Sequence, residues 1–578
     1  MRRALRIVLA TLNAKYVQTS LALRYLETIA RRAGHEVARC EFSINDRLDL
    51  VEAEIARHAP DLLALSCYLW NIEPLLELAD TLKKVLPGLR ILLGGPEVSH
   101  DAPAFLAQNP AVDWIIAGEG EGPWAELLAA LPAGPLDSVR GLCWRDGARI
   151  RANDPAPPQP FAALPSAYAE RTPDLAGRLV YYESSRGCPY SCAFCLSGRE
   201  GRVRLAELDR VRREIEILAG SGARAIKFVD RTFNCRPRHA LAVWRALLPY
   251  HGRLRFHFEI VAEILTAEEL DFLAGVPPGL FQFEIGVQST NPETLEAVGR
   301  RRDLGRLAAN VRALRAAGNI HLHLDLIAGL PHEGFDRFLE SLDFVLDLDP
   351  DVVQVGILKM LRGTRLREQA ELLGYRYRRR PPYEVLANPW LSFTELDRLR
   401  IVADLVETYY NEGRFGHTLK RLFAAVPSPA RLFHDFAGYC VDRGWHLRPH
   451  QPQTLAEHLL EFVERRGLGG PVLRDRLRLD LHRLARSEGE PDWVDVPMIP
   501  DFQRRWHAWL RVPEHRALLG PEFEELGPRE AIKRTRVMAF RHDPLAPPDE
   551  EEPGPALVAV VYPEKGVKGR ARAIRVEI

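Results

Sequence analysis

Arg186-Gly187-Cys188-Pro189-Tyr190-Ser191-Cys192-Ala193-Phe194-Cys195 sets three cysteines at Cx3Cx2C spacing on a stretch bent by glycine and proline. Three thiolates this close cannot pair into disulfides without one left over, but they suit three irons of a four-iron cubane cluster. The fourth iron then stays open to a ligand. A zinc ribbon would need a fourth ligand nearby and usually a second CxxC. Neither 179–186 nor 201–230 supplies a cysteine or histidine. Cys235 follows at some distance; as a fourth ligand it would abolish the open iron, so it reads as a small buried residue or a thiol near substrate.

With Phe194 as the aromatic before the third cysteine, the loop resembles the CxxxCxΦC signature of the radical S-adenosylmethionine (SAM) superfamily. The resemblance implies that Cys188, Cys192 and Cys195 hold a 4Fe-4S cluster. It also implies that the amino and carboxylate groups of SAM chelate the open iron, and that one electron then releases a 5′-deoxyadenosyl radical.

Around the loop, strand-like runs at 179–185, 225–229, 255–260, 280–286, 320–327 and 352–357 alternate with helical stretches. Six such units predict a partial (β/α)6 barrel over 175–380, with the cysteines after the first strand, where catalytic loops of parallel barrels lie. At the other strand ends the resemblance implies SAM contacts from Phe194, Lys227, Phe228, Asp230, Glu259, Gln288, Ser289, Ala328 and Gly329. The backbone at 227–230 is expected near the methionine amino group, Glu259 near the ribose, and the glycine turn at 328–329 beside adenine. The run Arg300, Arg301, Arg302 reads first as a solvated face and second as a carboxylate site.

Upstream, strands at 6–10, 36–42, 61–67, 90–93 and 113–117 alternate with helical spacing and predict a doubly wound, flavodoxin-like parallel sheet over 1–140. Ligands of such sheets lie beyond the carboxyl ends of the strands. Those ends carry 12–16, 66–71, Gly94-Gly95-Pro96-Glu97-Val98-Ser99 and Gly118-Glu119-Gly120-Glu121-Gly122. There is no GxGxxG after the first strand and no GxxxxGK(S/T), which disfavours a dinucleotide or triphosphate. The two glycine loops ahead of a radical SAM loop resemble the cobalamin-binding domain of B12-dependent radical SAM enzymes. Cobalamin contacts are implied for Leu12, Asn13, Ser66, Trp70, Gly94, Gly95, Pro96, Glu119 and Gly120. The DxHxxG histidine of many cobalamin domains has no counterpart in 12–17, so the lower cobalt face is expected without histidine, approached by Trp70 or Asn71.

An Asp-Gly hairpin at 141–150 and six prolines between 155 and 173 predict a hairpin and linker over 141–174. Amphipathic helices at 395–410, 418–425, 431–440 and 455–465, then strands at 535–543, 556–562 and 572–578, predict a mainly helical domain over 381–578 with a strand-rich end. This region resembles the unassigned, DUF4080-like C-terminal domain of some B12-binding radical SAM proteins.

At 578 residues, 46% hydrophobic and 27% charged, with zero formal net charge, the chain is a multidomain globular protein with no general pull toward nucleic acid. Five cysteines scattered singly fit a reducing cytoplasm. The first residues read as a strand and not a signal peptide, and no apolar run is long enough to span a membrane. The resemblance implies a cytoplasmic enzyme with a 4Fe-4S cluster, SAM and cobalamin, served by an electron donor such as flavodoxin or ferredoxin. The expected reaction is C-methylation of an unactivated carbon. The alternatives are a cobalamin-assisted cyclase or rearrangement enzyme without methyl transfer, and a non-catalytic corrinoid and Fe–S sensor. A methylthiotransferase would need another cysteine trio, and Cys40, Cys67 and Cys143 are too scattered. The substrate, whether small molecule or peptide, is not legible.

Overall fold

The computed structural model describes residues 4–131, 134–168, 175–199, 201–300, 302–484, 489–548, 553–563 and 571–578. The chain forms two units, Met1–Ser341 with Leu348–Asp351 and Gly356–Leu396, and Leu342–Asp347 with Val352–Val355 and Asp397–Ile578.

The first unit opens with β1 (Arg6–Asn13), β2 (Glu36–Ser43), β3 (Leu62–Ser66), β4 (Arg90–Gly94) and β5 (Trp114–Ile116), then the hairpin β6 (Leu142–Asp146) and β7 (Arg149–Ala152). They make one seven-stranded sheet in the order β2-β1-β3-β4-β5-β6-β7. β1 to β5 run parallel, and strict alternation along β1 divides the core. Val8, Ala10 and Leu12 pack with the helix Ile72–Val85 on one face, Ile7 and Leu9 with Trp124 and Leu127 on the other. Because β2 and β3 flank β1 on opposite sides, the crevice at the carboxyl ends of β1 and β3 is the topological switch point. The 141–150 hairpin is integral to this sheet: Trp144, Cys143 and Leu142 pair antiparallel with Trp114, Ile115 and Ile116. Leu142 and Cys143 are buried on opposite faces of the sheet, so pairing ties the hairpin into both core layers and removes an open edge from the three-residue β5.

The barrel follows: β8 (Leu179–Tyr182), β11 (Ala225–Phe228), β12 (Phe256–Ile260), β13 (Phe281–Gln288), β14 (His321–Ala328) and β15 (Val352–Ile357), in the order β15-β14-β13-β12-β11-β8. Between β8 and β11 the chain leaves the sheet through β9 (Ser185–Arg186) and returns through β10 (Arg204–Leu205), which pair antiparallel at the foot of the cysteine loop. Parallel strands covered on both faces usually read as continuous apolar runs. Here β12 to β14 alternate strictly. Phe228, Phe256, Phe258, Phe281 and Phe283 face outward into an aromatic layer with Trp244, ring centroids 4.7–6.5 Å apart. Lys227, His257, Glu259, Glu284, His323 and Asp325 face the lumen. The short β16 (Arg376–Tyr377) and β17 (Val385–Ala387) form a two-stranded ribbon.

In the second unit the helices Gly416–Ala424, Pro429–Asp442, Pro452–Arg465 and Pro471–Leu484 precede an antiparallel sheet of β18 (Thr535–His542), β19 (Pro553–Val561) and β20 (Arg572–Arg575). Buried Asp480 ties the first helix to the fourth. It accepts hydrogen bonds from Thr418 N (2.9 Å) and Thr418 Oγ1 (2.8 Å) and pairs with His417 Nδ1 (2.8 Å).

Candidate functional site

The cysteine loop is held by its backbone. Gly187 has φ +96°, and a Cβ there would collide with the Arg202 carbonyl; one on Gly198 would meet the carbonyl of Cys192. Ala193 N donates to Val298 O (2.8 Å) and Leu366 N to Ala193 O (2.9 Å), fixing the loop to two later segments. Cys188 and Cys192 are buried and Cys195 is half-buried. Thr232 Oγ1 lies 3.6 Å from Cys188 Sγ, and Arg300 Nη1 donates to Cys192 Sγ at 3.7 Å while its Nη2 donates to Gly286 O (2.8 Å). Arg300 and Thr232 thus give two of the three neighbouring thiols a polar partner. Gln288, at φ +72° beside a register shift in β13, carries a buried Oε1 with no hydrogen-bond partner. Close-fitting glycines, thiols with polar partners and an orphaned acceptor fit a bound group carried by Cys188, Cys192 and Cys195. Among the described residues no three His, Cys, Asp or Glu side chains gather as a single-ion site. A cubane takes each thiolate on a separate iron.

Below the loop the lumen is charged. Lys227 Nζ lies 3.0 Å from Glu284 Oε2 and 3.5 Å from Glu259 Oε1, and His257 Nε2 lies 2.9 Å from Glu284 Oε2. Burial acts to raise the Glu284 carboxyl, but hydrogen bonds and charge from His257 and Lys227 outweigh it and bring it down to about 2. Glu259 is pushed up by burial, with Lys227 opposing. His323 Nε2 stands 2.9 Å from Asp325 Oδ1; burial works to lower the imidazole, yet this carboxylate raises it.

At the switch point of the first sheet, Asn71 is buried and fully used. Its Nδ2 donates to Thr11 Oγ1, Leu12 O and Ser66 O, each at 3.1 Å, and its Oδ1 accepts from Tyr68 N (2.7 Å). Trp70 is 45% exposed, stacks on Tyr68 (4.6 Å, 3°) and donates from Nε1 to Leu12 O (3.1 Å). Gly95 has φ +112° with its missing Cβ aimed at Cys67 O, and Pro96 starts the short helix Pro96–Ser99. Glu97 is buried, accepting from the Tyr383 hydroxyl and standing 3.3 Å from Arg362 Nε.

Against known families, residues 7–128 match the B12 binding domain, 182–345 the radical SAM superfamily, and 371–558 a protein family of unknown function, DUF4080. The chain thus joins a B12-binding domain to a radical SAM domain, followed by a DUF4080 region. Among curated relatives of this B12-binding radical SAM chain are two methyltransferases. One is the 2-(S-pantetheinyl)-carbapenam-3-carboxylate methyltransferase of Streptantibioticus cattleyicolor, 30% identical over 60% of this chain and 54% of its own. The other is the cobalamin-dependent radical SAM methyltransferase TokK of Streptomyces tokunonensis, 33% identical over 52% and 47%. The chain thus spans about half the length of these two relatives. The solved radical SAM methyltransferase TsrM from Kitasatospora setae, with cobalamin and a 4Fe-4S cluster bound, has a TM-score of 0.56 at 20% identity, over 65% of this chain and 78% of its own. That likeness is one of fold.

The remaining expected site residues of the B12-binding radical SAM chain fall into three groups. Lys227 and Glu259 project into the lumen, as expected of strand-end ligand residues. Phe228 does not: alternation turns its ring into the outer aromatic layer, leaving only its backbone inward. Asp230 and Ser289 are committed inside the protein. Asp230 accepts from Ser184 N (3.0 Å), Ser184 Oγ (2.8 Å) and Ser185 Oγ (2.6 Å), and burial pushes its carboxyl up to about 6. Ser289 Oγ donates to Glu333 (2.6 Å). Ala328 O accepts from Leu358 N (2.9 Å) and Gly329 O from Tyr375 Oη (2.9 Å) and Asn388 Nδ2 (3.0 Å). Phe194 is half-buried between two of the cysteines.

On the cobalamin side, Leu12 and Ser66 offer buried backbone carbonyls already accepting bonds, and Asn13 Nδ2 donates to Gln18 O (3.2 Å) and Glu41 (3.3 Å). Gly94 O accepts from Cys67 N (2.7 Å), and Gly120 precedes the helix Glu121–Ala130. Glu119, expected near a corrinoid, has its carboxylate bonded to Arg186 and Arg204. Of the two side chains expected near cobalt, Asn71 is buried with its amide bonded within the protein, and Trp70 is the one partly exposed. Arg300 is the thiol partner in its run, Arg302 pairs with Glu263 (3.1 Å), and Arg301 lies outside the described residues. Sequence reasoning missed His257, Glu284, His323 and Asp325 as lumen residues. The polar half of the alternation in β12 to β14 was the available signal. Among the described residues no helix is long and apolar enough to cross a membrane.

Proposed function

We propose that the chain is a cobalamin-dependent radical SAM methyltransferase that methylates an unactivated carbon. The observation that carries this reading is the meeting of two loops: Glu119, at the carboxyl end of the B12-domain sheet, is bonded to both arginines at the foot of the cysteine loop. Loops suited to a corrinoid and to a cluster therefore face one another within one unit. When bound, the cluster and SAM supply a carbon-centred radical and cobalamin supplies the methyl group. Cys188, Cys192 and Cys195 would hold the cluster, and Trp70 is the side chain free to flank the corrinoid at the switch point. Lys227 keeps Glu259 and Glu284 ordered as fixed charges lining the lumen, so little reorganisation is required when a polar ligand enters. The phenylalanine layer behind them keeps water from that wall. An electron donor such as flavodoxin or ferredoxin is part of the proposal. The carbapenam substrate named for one relative is not carried over, because the match covers only half of that protein.

The test is oxygen-free reconstitution with iron, sulfide and hydroxocobalamin, followed by reductant and SAM carrying a labelled methyl group. The expected products are 5′-deoxyadenosine and labelled methylcobalamin, with Cys195→Ala losing the first together with its iron. A Cys195→Ala chain that still cleaves SAM, or a wild-type chain that takes up neither iron nor corrinoid, would refute the proposal.

A further inference from the structure

The loop bearing the three cysteines leaves the barrel at Arg186 and re-enters at Arg204, and these two residues are direct cross-strand partners. Like charges placed opposite one another in a ladder repel. Arg186 is compensated several times. It pairs with Glu183 (2.7 Å), with Glu121 (2.6 Å) and more loosely with Glu119 (3.5 Å), and its guanidinium lies 5.4 Å from the Tyr25 ring centroid. Arg204 is not. Among the described residues its one carboxylate partner is Glu119, joined through both terminal guanidinium nitrogens, and its other bond is to the Gln159 carbonyl. Both arginine side chains are more than four-fifths buried, 17% and 15% exposed. Glu119 lies in the Gly118–Gly122 loop of the B12-binding domain, 67 and 85 residues away from the two arginines.

We propose that Glu119 is a clasp: one carboxylate from the corrinoid-side loop neutralises Arg204, holds it beside Arg186 and so keeps the cysteine loop closed at its stem. Glu119 is a positioning residue, acting on the cluster through Arg186 and Arg204, and it transmits displacement of the 118–122 loop to the thiols. Removing the carboxylate strands the Arg204 guanidinium in a largely buried place without a counter-ion, which is a costlier state than having no charge there at all. The stem strands then part because Arg204 must reach water.

This predicts an ordering that lost packing alone would not produce. In the iron-free chain, Glu119→Gln should raise amide hydrogen exchange in 188–198 by about tenfold or more, as expected for a charge-assisted pair. Glu119→Gln combined with Arg204→Gln should recover most of the protection, because the stranded charge is gone. Hydroxocobalamin affinity of the iron-free Glu119→Gln chain should stay within about twofold of wild type, as the carboxylate is not a corrinoid contact in this account. In reconstituted protein, which rests on the function proposed above, removal of iron by chelator should quicken in Glu119→Gln and return toward wild type in the double variant.

Exchange in 188–198 unchanged by Glu119→Gln, or a double variant less protected than the single, would overturn the clasp. So would loss of corrinoid affinity with exchange unchanged. The exchange measurement needs neither cofactor, so failure of the wild-type chain to take up iron would refute the proposed function while leaving the clasp to its own result.

Discussion

Gly187 and Gly118 both have positive φ, +96° and +84°, yet their surroundings differ. A Cβ on Gly118 meets open space, whereas one on Gly187 runs into the Arg202 backbone. Gly118→Ala should therefore cost about 1 kcal/mol, the strain of the left-handed backbone alone, and Gly187→Ala about 2–3 kcal/mol as the loop shifts. Urea unfolding of the two variants, with iron content after reconstitution, separates strain from loss of the cluster seat. Glu333 gives a pH signature. Fully buried, with Oε1 accepting from Ser289 (2.6 Å) and Ser341 (2.9 Å) and Oε2 without a partner, it is pushed by burial from 4.5 up to about 7. The folded chain thus binds this proton more tightly than the unfolded chain does. Its contribution to stability is fully present below about pH 4.5 and is lost as pH rises through about 7. Glu333→Gln should flatten this part of the stability profile in thermal melts across that window. At this scale the cysteine spacing and the glycine turns were legible, because each is a local requirement. The partners of Glu119 were not, since no short-range pattern encodes a contact across 67 or 85 residues.

Along the strands, the alternation in β12 to β14 decides which side chains meet a ligand and which build the wall. Lys227→Met leaves Glu259 and Glu284 facing each other without their cation and should cost about 2–3 kcal/mol in urea unfolding. Adding Glu284→Gln should recover part of that loss. On the opposite face, Phe258→Ala removes a ring at the centre of the aromatic layer and should cost about 3–5 kcal/mol. The strands themselves could be read from the sequence, since parallel runs separated by helical spacing admit few arrangements. Phe228 is expected to act through its backbone, and its place in the alternation turns the ring into the outer aromatic layer. Asp230 and Ser289 lie just beyond the ends of β11 and β13, but their commitment to Ser184, Ser185 and Glu333 depends on packing between elements.

For the molecule as a whole, the B12-binding and barrel segments of the first unit are joined at several places, among them Glu119 and Glu121 with Arg186 and Arg204, Glu97 with Tyr383 and Arg362, and Leu179 N with Val17 O. A ligand seated between such loops should stabilise folding by mass action. Hydroxocobalamin at about one hundred times its Kd should add about 2.7 kcal/mol, read as a rise in the Tm of the iron-free chain. An unchanged Tm at saturating corrinoid would count against the cobalamin assignment. The order of domains was plain from composition and motif, and three family matches follow it along the chain. Where the first domain stops was not, because a hairpin on an Asp-Gly turn looks the same whether it caps a linker or completes a sheet.

That hairpin has a practical consequence for anyone isolating the corrinoid-binding part. A fragment cut near residue 140 would leave the hydrogen-bonding groups of Trp114 to Ile116 bare, a ready template for another copy to zip onto. Ending instead beyond Ala152 keeps that border sewn shut, and the two fragments should part company in a sedimentation run: the shorter self-associating, the longer staying monomeric.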